Sequence, residues 1–224
     1  MEHEILYRPS YALAVLKLKA GESVSAETGS MVSMSGSIEV ETGMRGGLLS
    51  GLKRSVLGGE SFFINTFTAT ADGEVTFAPS LPGDVVHHPM NGETLYVQSG
   101  SYLAASNTVS VDTKWGGSRG FFSREGLFLL KITGRGSLFI SSYGGIHELD
   151  LPPGQKYIVD TSHMVAFAET VQYNVRRVGS WKTTILGGEG LVVELTGPGK
   201  AYLQTRSPDN FLAWLIPKLP ARRE

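Results

Sequence analysis

The sequence repeats a set of short motifs three times at constant spacing, and this repetition constrains the fold more than any single motif does. Three matching segments open with Gly-Glu-Ser, Gly-Glu-Thr and Gly-Gln-Lys, at Gly21, Gly92 and Gly154. Eight positions later the sequence reads, in turn, Gly29-Ser30-Met31-Val32, Gly100-Ser101-Tyr102-Leu103 and Ser162-His163-Met164-Val165. A fixed period of this kind predicts a repeated structural unit.

We divide the chain into three blocks on this basis. Block 1 is residues 1–83, block 2 is residues 84–148, block 3 is residues 149–206, and residues 207–224 form a C-terminal helix and tail. A block of roughly 65 residues is too small to bury a large core alone, so we expect the blocks to pack as one body. The sequence predicts an all-β fold in which three repeats form a sandwich or barrel around a pseudo-threefold axis.

Each block contains two strand-like runs separated by a glycine-containing turn. In block 1, residues 61–70 read SFFINTFTAT, and a second run follows at residues 74–78. The equivalent runs are 126–133 and 137–141 in block 2, and 190–196 and 200–205 in block 3. Two β-rich runs around a tight glycine turn predict a β-hairpin in every block.

The segment after block 3 has helical character. Ser207 is a good N-cap, Pro208 suits the first helical position, and Phe211, Trp214 and Leu215 share one face. We predict a short amphipathic helix that either covers part of the β body or contacts a neighbouring subunit.

The composition indicates a globular chain without a strong overall charge. Hydrophobic residues make up 41% of the sequence, and the 28 glycines suit short strands and tight turns. The net charge of −1 gives no general attraction to nucleic acid or to an anionic membrane. The sequence has no cysteine, no signal-peptide pattern and no run long enough to span a bilayer. We therefore expect a soluble, cytoplasmic protein.

Three glycine-rich segments place large apolar side chains beside basic ones, at residues 43–59, 115–123 and 178–188. Such loops can contact a membrane surface or a protein partner. The alternative is that the apolar side chains plug the ends of the body while the basic side chains lie in solvent. The candidate contact residues are Leu48, Leu49, Leu52, Lys53, Arg54, Arg119 and Lys182.

Matches to catalytic and phosphate-binding motifs are incomplete. Residues 116–120 fit the G-x-S-x-G nucleophile elbow by letter, but a β segment follows Ser118 where that motif needs a helix. Residues 46–53 resemble a P-loop, yet Leu52 stands where the motif needs lysine. Glu60, Glu125 and Glu189 recur in equivalent turns, which favours a structural role over a catalytic one. We predict that the chain is not an enzyme and has no cofactor.

The histidines give little indication of a metal site. His87 and His88 are adjacent, so on a strand their side chains point to opposite faces. The sequence contains neither His-x-His nor His-Glu-x-x-His spacing. A meeting of His147 and His163 with a carboxylate in space is the weaker alternative to our prediction of no metal.

A single-stranded nucleic-acid site is the alternative function. Such a site needs basic residues interleaved with exposed aromatic ones, and the best cluster is Arg176 and Arg177 with Tyr173 and Trp181. Because an arginine pair at the end of a strand is more often solvated or salt-bridged, and because the net charge is near zero, nucleic acid is an unfavoured partner.

Long stretches of the sequence resemble a known family. Residues 10–43 (SYALAVLKLKAGESVSAETGSMVSMSGSIEVETG) and 46–69 (GGLLSGLKRSVLGGESFFINTFTA) are similar to the mitochondrial biogenesis family, once described as a domain of unknown function. Residues 92–106 and 152–167 are also similar to sequences of this family. The resemblance implies repeated β units similar to subunits of the tryptophan RNA-binding attenuation protein, TRAP, and a ring-like oligomer. It supplies no enzymatic activity and no binding residue.

We therefore expect a non-catalytic oligomeric scaffold or binding module, which would act at a membrane surface if the glycine-rich segments contact lipid. Exposed strand edges and apolar side chains favour a cyclic homo-oligomer, with a trimer as first choice. Its interface is expected to contain residues 43–59 or the helix face of Phe211, Trp214 and Leu215. A protein partner other than a second copy is the alternative.

Overall fold

A computed structural model describes residues 1–42, 56–57, 60–61, 64–112, 121–122, 127–177 and 191–220. Within these residues the chain is mostly β-strand, with one α-helix, α1 (Pro208–Leu215), after the last strand. The predicted β-rich class and the predicted C-terminal helix are confirmed.

The strands follow the sequence blocks closely. Block 1 contains β1 (Glu2–Leu6), β2 (Leu13–Leu18), β3 (Ser23–Glu27), β4 (Met31–Met34), β5 (Ile38–Thr42), β6 (Val56–Leu57), β7 (Glu60–Ser61), β8 (Ile64–Ala69) and β9 (Gly73–Phe77). Block 2 contains β10 (Val85–Asn91), β11 (Leu95–Gln98), β12 (Tyr102–Ser106), β13 (Val109–Asp112), β14 (Phe121–Phe122) and β15 (Leu127–Ser141). The remaining strands are β16 (Ile146–Leu151), β17 (Lys156–Asp160), β18 (Met164–Ala168), β19 (Gln172–Arg177), β20 (Leu191–Thr196) and β21 (Gly199–Gln204).

The same scheme of antiparallel pairing occurs three times along the chain. In block 1, β9 pairs with β2 and β4, while β8 pairs with β3 and β5. In block 3, β21 pairs with β18 and with β16, which starts at Ile146 and so crosses the predicted boundary between blocks 2 and 3, while β20 pairs with β17 and β19. In block 2, the single long strand β15 makes all four equivalent pairings, with β10, β11, β12 and β13.

A register shift recurs at the same motif position in each block. It lies between Met31 and Ser33 in β4, between Tyr102 and Ala104 in β12, and between Met164 and Ala166 in β18. A β-bulge adds a residue to one strand and bends it locally. The recurrence shows that equivalent sequence positions carry equivalent backbone irregularities.

The predicted hairpins are wrong. In the sheets formed by the described residues, β8 does not pair with β9, and β20 does not pair with β21. In block 2 the predicted turn lies inside β15, where Gly134 and Gly136 have φ of +117° and +148°. A Cβ on Gly134 would lie 2.5 Å from the carbonyl oxygen of Thr108, so only glycine fits this close approach. The glycines therefore carry the chain from one set of partners to the next instead of reversing its direction.

Neighbouring blocks are joined by strand pairing as well as by side-chain packing. β3 pairs with β12 to join blocks 1 and 2, and β11 pairs with β18 to join blocks 2 and 3. These two joints create a 12-stranded sheet along the path β16-β21-β18-β11-β15-β12-β3-β8-β5, with β10, β13 and β14 also on β15. The outer strands of blocks 1 and 3 form separate sheets, β1-β2-β9-β4 and β17-β20-β19.

The described residues form no closed barrel, so that part of the fold prediction is not met. β4 ends the four-stranded sheet and β17 ends the three-stranded sheet. Among the described residues each of these strands has a neighbour on one side alone, so this part of the chain does not form a pairing between its first and last blocks.

The core consists of three clusters that cross the joints. The first packs block 1 residues such as Phe67 and Phe77 against Phe139 of block 2. The second contains Tyr102 with Tyr202 of block 3, and the third surrounds Phe167 of block 3 and includes Tyr96 and Leu129 of block 2. Among the described residues, apolar side chains of one block are therefore buried against those of the next.

Helix α1 begins as the sequence predicts. The Ser207 hydroxyl accepts a hydrogen bond from the Asn210 backbone N–H, and Pro208 occupies the first turn. A short 3-10 turn, Ile216–Lys218, follows the helix and contains Pro217.

Leu103 lies at the centre of the joint between blocks 1 and 2 and is fully buried. We expect Leu103→Ala to lower the free energy of unfolding by about 2–5 kcal/mol, because the substitution removes buried methyl groups and leaves a cavity. The exposed Leu212→Ala on α1 is a matched control, with an expected loss within about 0.5 kcal/mol. Urea denaturation followed by circular dichroism measures both, and equal losses would contradict this placement of the core.

Candidate interaction surfaces

The outer face of β4 exposes side chains whose equivalents in the other blocks are buried. Val32 is 58% exposed, whereas Leu103 and Val165, at the same motif position, are both 0% exposed. Met31 and Met34 are also exposed, while their equivalents on β12 and β18 are buried. β4 therefore has the apolar sequence of an inner strand in the position of an edge strand.

β17 shows the same mismatch at the other end of the chain. Ile158 is 55% exposed and Tyr157 is also exposed, although both lie on a strand. Their equivalents on β11, Tyr96 and Leu95, are buried where β11 pairs with β18. Exposed, apolar edge strands are templates for pairing with another chain.

Helix α1 has apolar side chains both on the face that packs against the β body and on the face exposed to solvent. Phe211 packs edge-on against Tyr143, with ring centroids 6.0 Å apart, and stacks on Trp214 at 6.2 Å. Phe211 and Leu215 are half-buried, but Trp214 is 59% exposed. Leu212, Ile216 and Leu219 are exposed as well. Of the predicted interface residues, Trp214 is thus the one that faces solvent most fully.

The Lys218 ammonium lies 5.2 Å from the centre of the Trp214 ring, which places a positive charge beside this apolar face. The face combines an aromatic ring, aliphatic side chains and a flexible cation. This combination is typical of surfaces that contact lipid headgroups or a protein partner.

A polar cavity of about 320 Å³ lies where the three blocks meet the start of α1. Serines 80, 101, 141, 142 and 162 line it, together with two carboxylates, Glu27 and Asp209. No histidine, lysine or arginine belongs to its described lining. The lining therefore has hydroxyl groups suited to hydrogen bonding and two carboxylates, with no described cationic side chain beside them.

Two histidines from different strands meet over the core. The rings of His3 on β1 and His87 on β10 have centroids 4.0 Å apart, and both contact Phe139. His87 Nε2 is buried and finds no hydrogen-bond partner among the described residues. Burial lowers the pKa of His87 from 6.5 to about 4, and the charges of His3 and His88 act in the same direction.

The remaining histidines serve local contacts. His163 Nδ1 lies 2.7 Å from the backbone oxygen of Gln204, and His88 lies between Tyr202 and Glu93. His147 is exposed on β16. The described residues contain no group of three or more histidine, aspartate or glutamate side chains that could hold a metal ion.

The basic and aromatic cluster considered for nucleic-acid binding is partly occupied by contacts within the chain. Arg176 Nε lies 3.4 Å from Glu194, which also accepts a hydrogen bond from Lys156 at 2.7 Å. Tyr173 is half-buried and packs against Phe167 and Tyr96, so its ring is not an open stacking surface. Trp181 and the Arg177 side chain lie outside the described residues.

The candidate residues of the glycine-rich segments also lie outside the described residues. These are Leu48, Leu49, Leu52, Lys53, Arg54, Arg119 and Lys182, together with the acidic turn residues Glu125 and Glu189. The side chain of Glu60 is likewise not described. Both interpretations of these segments stay open as predictions.

The sequence pattern did not reveal one ion pair between a half-exposed arginine and a buried aspartate. The Arg8 guanidinium donates two hydrogen bonds to the Asp84 carboxylate, from Nε at 2.8 Å and from Nη2 at 2.9 Å. The Asp84 side chain is almost fully buried and also accepts from the Val85 N–H. This bidentate pair fixes the turn after β1 against the connection between blocks 1 and 2. Its members are 76 positions apart, so no local motif marks them.

The histidine contact generates a pH prediction. Because the pKa of His87 is lower in the folded chain than its ordinary 6.5, the unfolded chain binds the proton more readily. Stability is therefore fully present above pH 6.5 and is lost as the pH falls towards about 4.

We expect His87→Phe to reduce the loss of unfolding free energy between pH 7 and pH 4.5, because the uncharged ring keeps the contact with Phe139. The exposed His147→Phe is the control and should retain the wild-type loss. Urea titrations at both pH values measure the difference. An identical pH dependence in the His87 variant would show that another group causes it.

No helix among the described residues is long and apolar enough to cross a membrane.

Comparison with known proteins places the chain in a family. An uncharacterised protein of Streptococcus pyogenes serotype M6 is 28% identical over 218 residues, which cover 94% of this chain and 88% of the relative. The X-ray crystal structure of protein SPYM3_0169 from Streptococcus pyogenes superposes with a TM-score of 0.79 and 26% identity. That match covers 97% of this chain and 99% of the solved one.

The family model for mitochondrial biogenesis AIM24 matches residues 3–206, which include all three blocks and end just before α1. This match agrees with the resemblance noted from the sequence. The chain belongs to the mitochondrial biogenesis AIM24 family.

Proposed function

We propose that this chain is a non-catalytic scaffold that assembles head to tail with copies of itself. The observation that carries the proposal is the pair of exposed apolar edges, β4 at one end of the series of blocks and β17 at the other. Two different edges on one chain suit a heterologous contact, in which one end of a subunit binds the opposite end of the next. Closing such a series into a ring removes both edges from solvent.

The architecture of the proposed assembly follows from treating the blocks as equivalent units. We propose that the blocks are TRAP-like repeats related by rotation about a common axis, and that additional copies continue the same rotation, so the axis belongs to the whole ring and replaces the pseudo-threefold axis predicted for one chain. The recurrent pairing scheme and the recurrent bulge support this equivalence. A trimer is our first choice for the closed ring, because the family resemblance favours a ring of few subunits.

The scaffold role and the cytoplasmic location are parts of the same proposal. The polar cavity offers hydroxyl groups and two carboxylates, which suits the binding of a hydrogen-bonding ligand. The absence of cysteine from the whole sequence supports a reducing compartment.

A membrane-surface role has its support in α1. Trp214, Leu212 and Ile216 are exposed on one short helix, and Lys218 lies beside them. A single copy of so short a face binds lipid weakly, but a ring presents several copies on one object, and multivalency raises avidity. We infer that assembly and membrane contact act together.

Light scattering tests the assembly. At micromolar concentration we expect a mass well above the 24.1 kDa of one chain, and three times that mass for the trimer. Met34→Lys should shift the protein towards the monomer, because burying a lysine at the contact costs about 1–3 kcal/mol, or about 10–100-fold in affinity.

Val40→Lys is the control for this experiment. Val40 is equally exposed and lies on the edge strand β5, whose equivalents β13 and β19 are also outer strands of their own pairings. This variant should keep the wild-type mass. A monomeric mass for the unmodified chain would contradict the proposed function.

Liposome co-sedimentation tests the membrane role. We expect the chain to sediment with vesicles that contain anionic lipid, and the double variant Trp214→Glu/Ile216→Glu to stay in the supernatant. Tyr11→Glu, at another exposed aromatic residue, should sediment like the wild type. Equal sedimentation of all three proteins would place the lipid contact elsewhere, and no sedimentation of the wild type would exclude it.

A further inference from the structure

The two joints between blocks use the same register when residues are counted within the repeat. At the first joint Ala104 pairs with Ala26, Ala105 with Ser25 and Ser106 with Val24. At the second joint Ala166 pairs with Val97, Phe167 with Tyr96 and Ala168 with Leu95. When each residue of the first joint is replaced by the residue at the same motif position in the next block, the pairs of the second joint result. A joint is therefore defined by sequence position and not only by general strand complementarity.

The same counting specifies a third joint whose two strands are present but not paired. The residues of β4 and its following turn that correspond to Ala104, Ala105 and Ser106 are Ser33, Met34 and Ser35. The residues of β17 that correspond to Val97, Tyr96 and Leu95 are Val159, Ile158 and Tyr157.

We infer that β4 of one copy pairs antiparallel with β17 of the next copy, with Ser33 opposite Val159, Met34 opposite Ile158 and Ser35 opposite Tyr157. This inference rests on the proposed head-to-tail assembly and specifies the contact that forms it. The occupant of each open edge is thus a second copy of this chain.

The third joint differs from the other two in the exposure of its side chains. At the first two joints Ala104, Ala26, Ala166 and Val97 have no exposed surface. At the third, Met34 and Ile158 are exposed, although each is larger and more apolar than Ala105 or Ser25 at the first joint. The third joint therefore has apolar side chains of the kind that a buried contact needs. In the isolated chain these side chains are exposed to water.

Pairing at this register also completes a sheet of the same construction as the inner ones. At each inner joint, three strands of one block meet three strands of the next, for example β5-β8-β3 with β12-β15-β10. The open ends supply the missing halves, β2-β9-β4 and β17-β20-β19. β1 extends the first of these halves beyond β2, on the side away from the joint.

Charge does not oppose the joint. None of the six residues at the inferred pairs is ionisable except Tyr157. Lys156, at the start of β17, is held by Glu194 at 2.7 Å within its own sheet. The contact is therefore apolar at its centre, and Lys156 beside it forms an ion pair with Glu194 of the same subunit.

Disulfide cross-linking tests the register, and the natural sequence has no cysteine to interfere. Two chains of different length are co-expressed, one carrying Met34→Cys and the other Ile158→Cys, and the assembly is oxidised with diamide. Directly opposite residues have Cβ atoms about 4.5–5.5 Å apart, which a disulfide can bridge with a small adjustment, whereas a shift of two residues separates them by about 7–8 Å.

We expect a cross-linked species that contains one chain of each length, and no cross-link when either variant is expressed alone. The shifted control pairs Met34→Cys with Lys156→Cys and should remain unlinked. The other two in-register pairs, Ser33→Cys with Val159→Cys and Ser35→Cys with Tyr157→Cys, guard against poor geometry at one position.

The outcomes separate the register from the assembly. If the chain assembles by light scattering but none of the three in-register pairs cross-links, or if the shifted pair cross-links instead, the register is wrong and the proposed assembly stands. If the unmodified chain is monomeric, both the assembly and the register are refuted.

Discussion

The fold depends on the strand pairing that joins each block to the next. In block 1, four strands pair along one edge with β8 or β9, which are β2, β3, β4 and β5. Block 2 is joined to both of its neighbours, because β12 pairs with β3 and β11 pairs with β18. An unpaired, buried backbone group costs free energy comparable to a lost hydrogen bond, so a block gains its stability mainly from its neighbours.

Glycine placement makes this sharing geometrically feasible. β15 serves two different sets of partners, and its direction changes at Gly134 and Gly136, which both have positive φ. Thr108 fills the space where their side chains would lie, and its hydroxyl donates to the backbone oxygen of Arg135 at 2.6 Å. The same hydroxyl would be 2.7 Å from a Cβ on Gly136. These contacts explain why glycine-rich turns in this sequence mark a passage between sheets.

The sequence alone predicts the strand-rich class and the cap of α1, because each depends on local chemistry that a motif expresses. It does not predict the pairing partners. A Gly-x-Gly segment between two β-rich runs has the same local signature whether the chain reverses or continues, so the hairpins were a reasonable expectation and an incorrect one. Long-range contacts such as Arg8 with Asp84, and His3 with His87, depend on which strands become neighbours. They follow from topology and leave no trace in spacing.

The candidate surfaces show the same division. The sequence marks Trp214 as apolar, and the structure adds that the β body leaves this ring largely in solvent. It does not mark β4 or β17, since Met-Val-Ser-Met and Lys-Tyr-Ile-Val are ordinary strand sequences. What distinguishes them is the contrast with their own equivalents: Val32 is exposed where Leu103 and Val165 are buried.

That internal contrast is a stronger argument than exposure alone. Scattered exposed apolar residues are normal on protein surfaces and carry no information by themselves. Here the chain contains two finished copies of the joint and the two halves of a third, so the inner joints act as controls for the open ends. The proposed contact would relieve both the backbone cost of an exposed edge and the hydrophobic cost of exposed Met34 and Ile158. A surface such as α1, repeated once per subunit, would then be displayed at regular intervals around a single body, where several weak contacts add to a strong one.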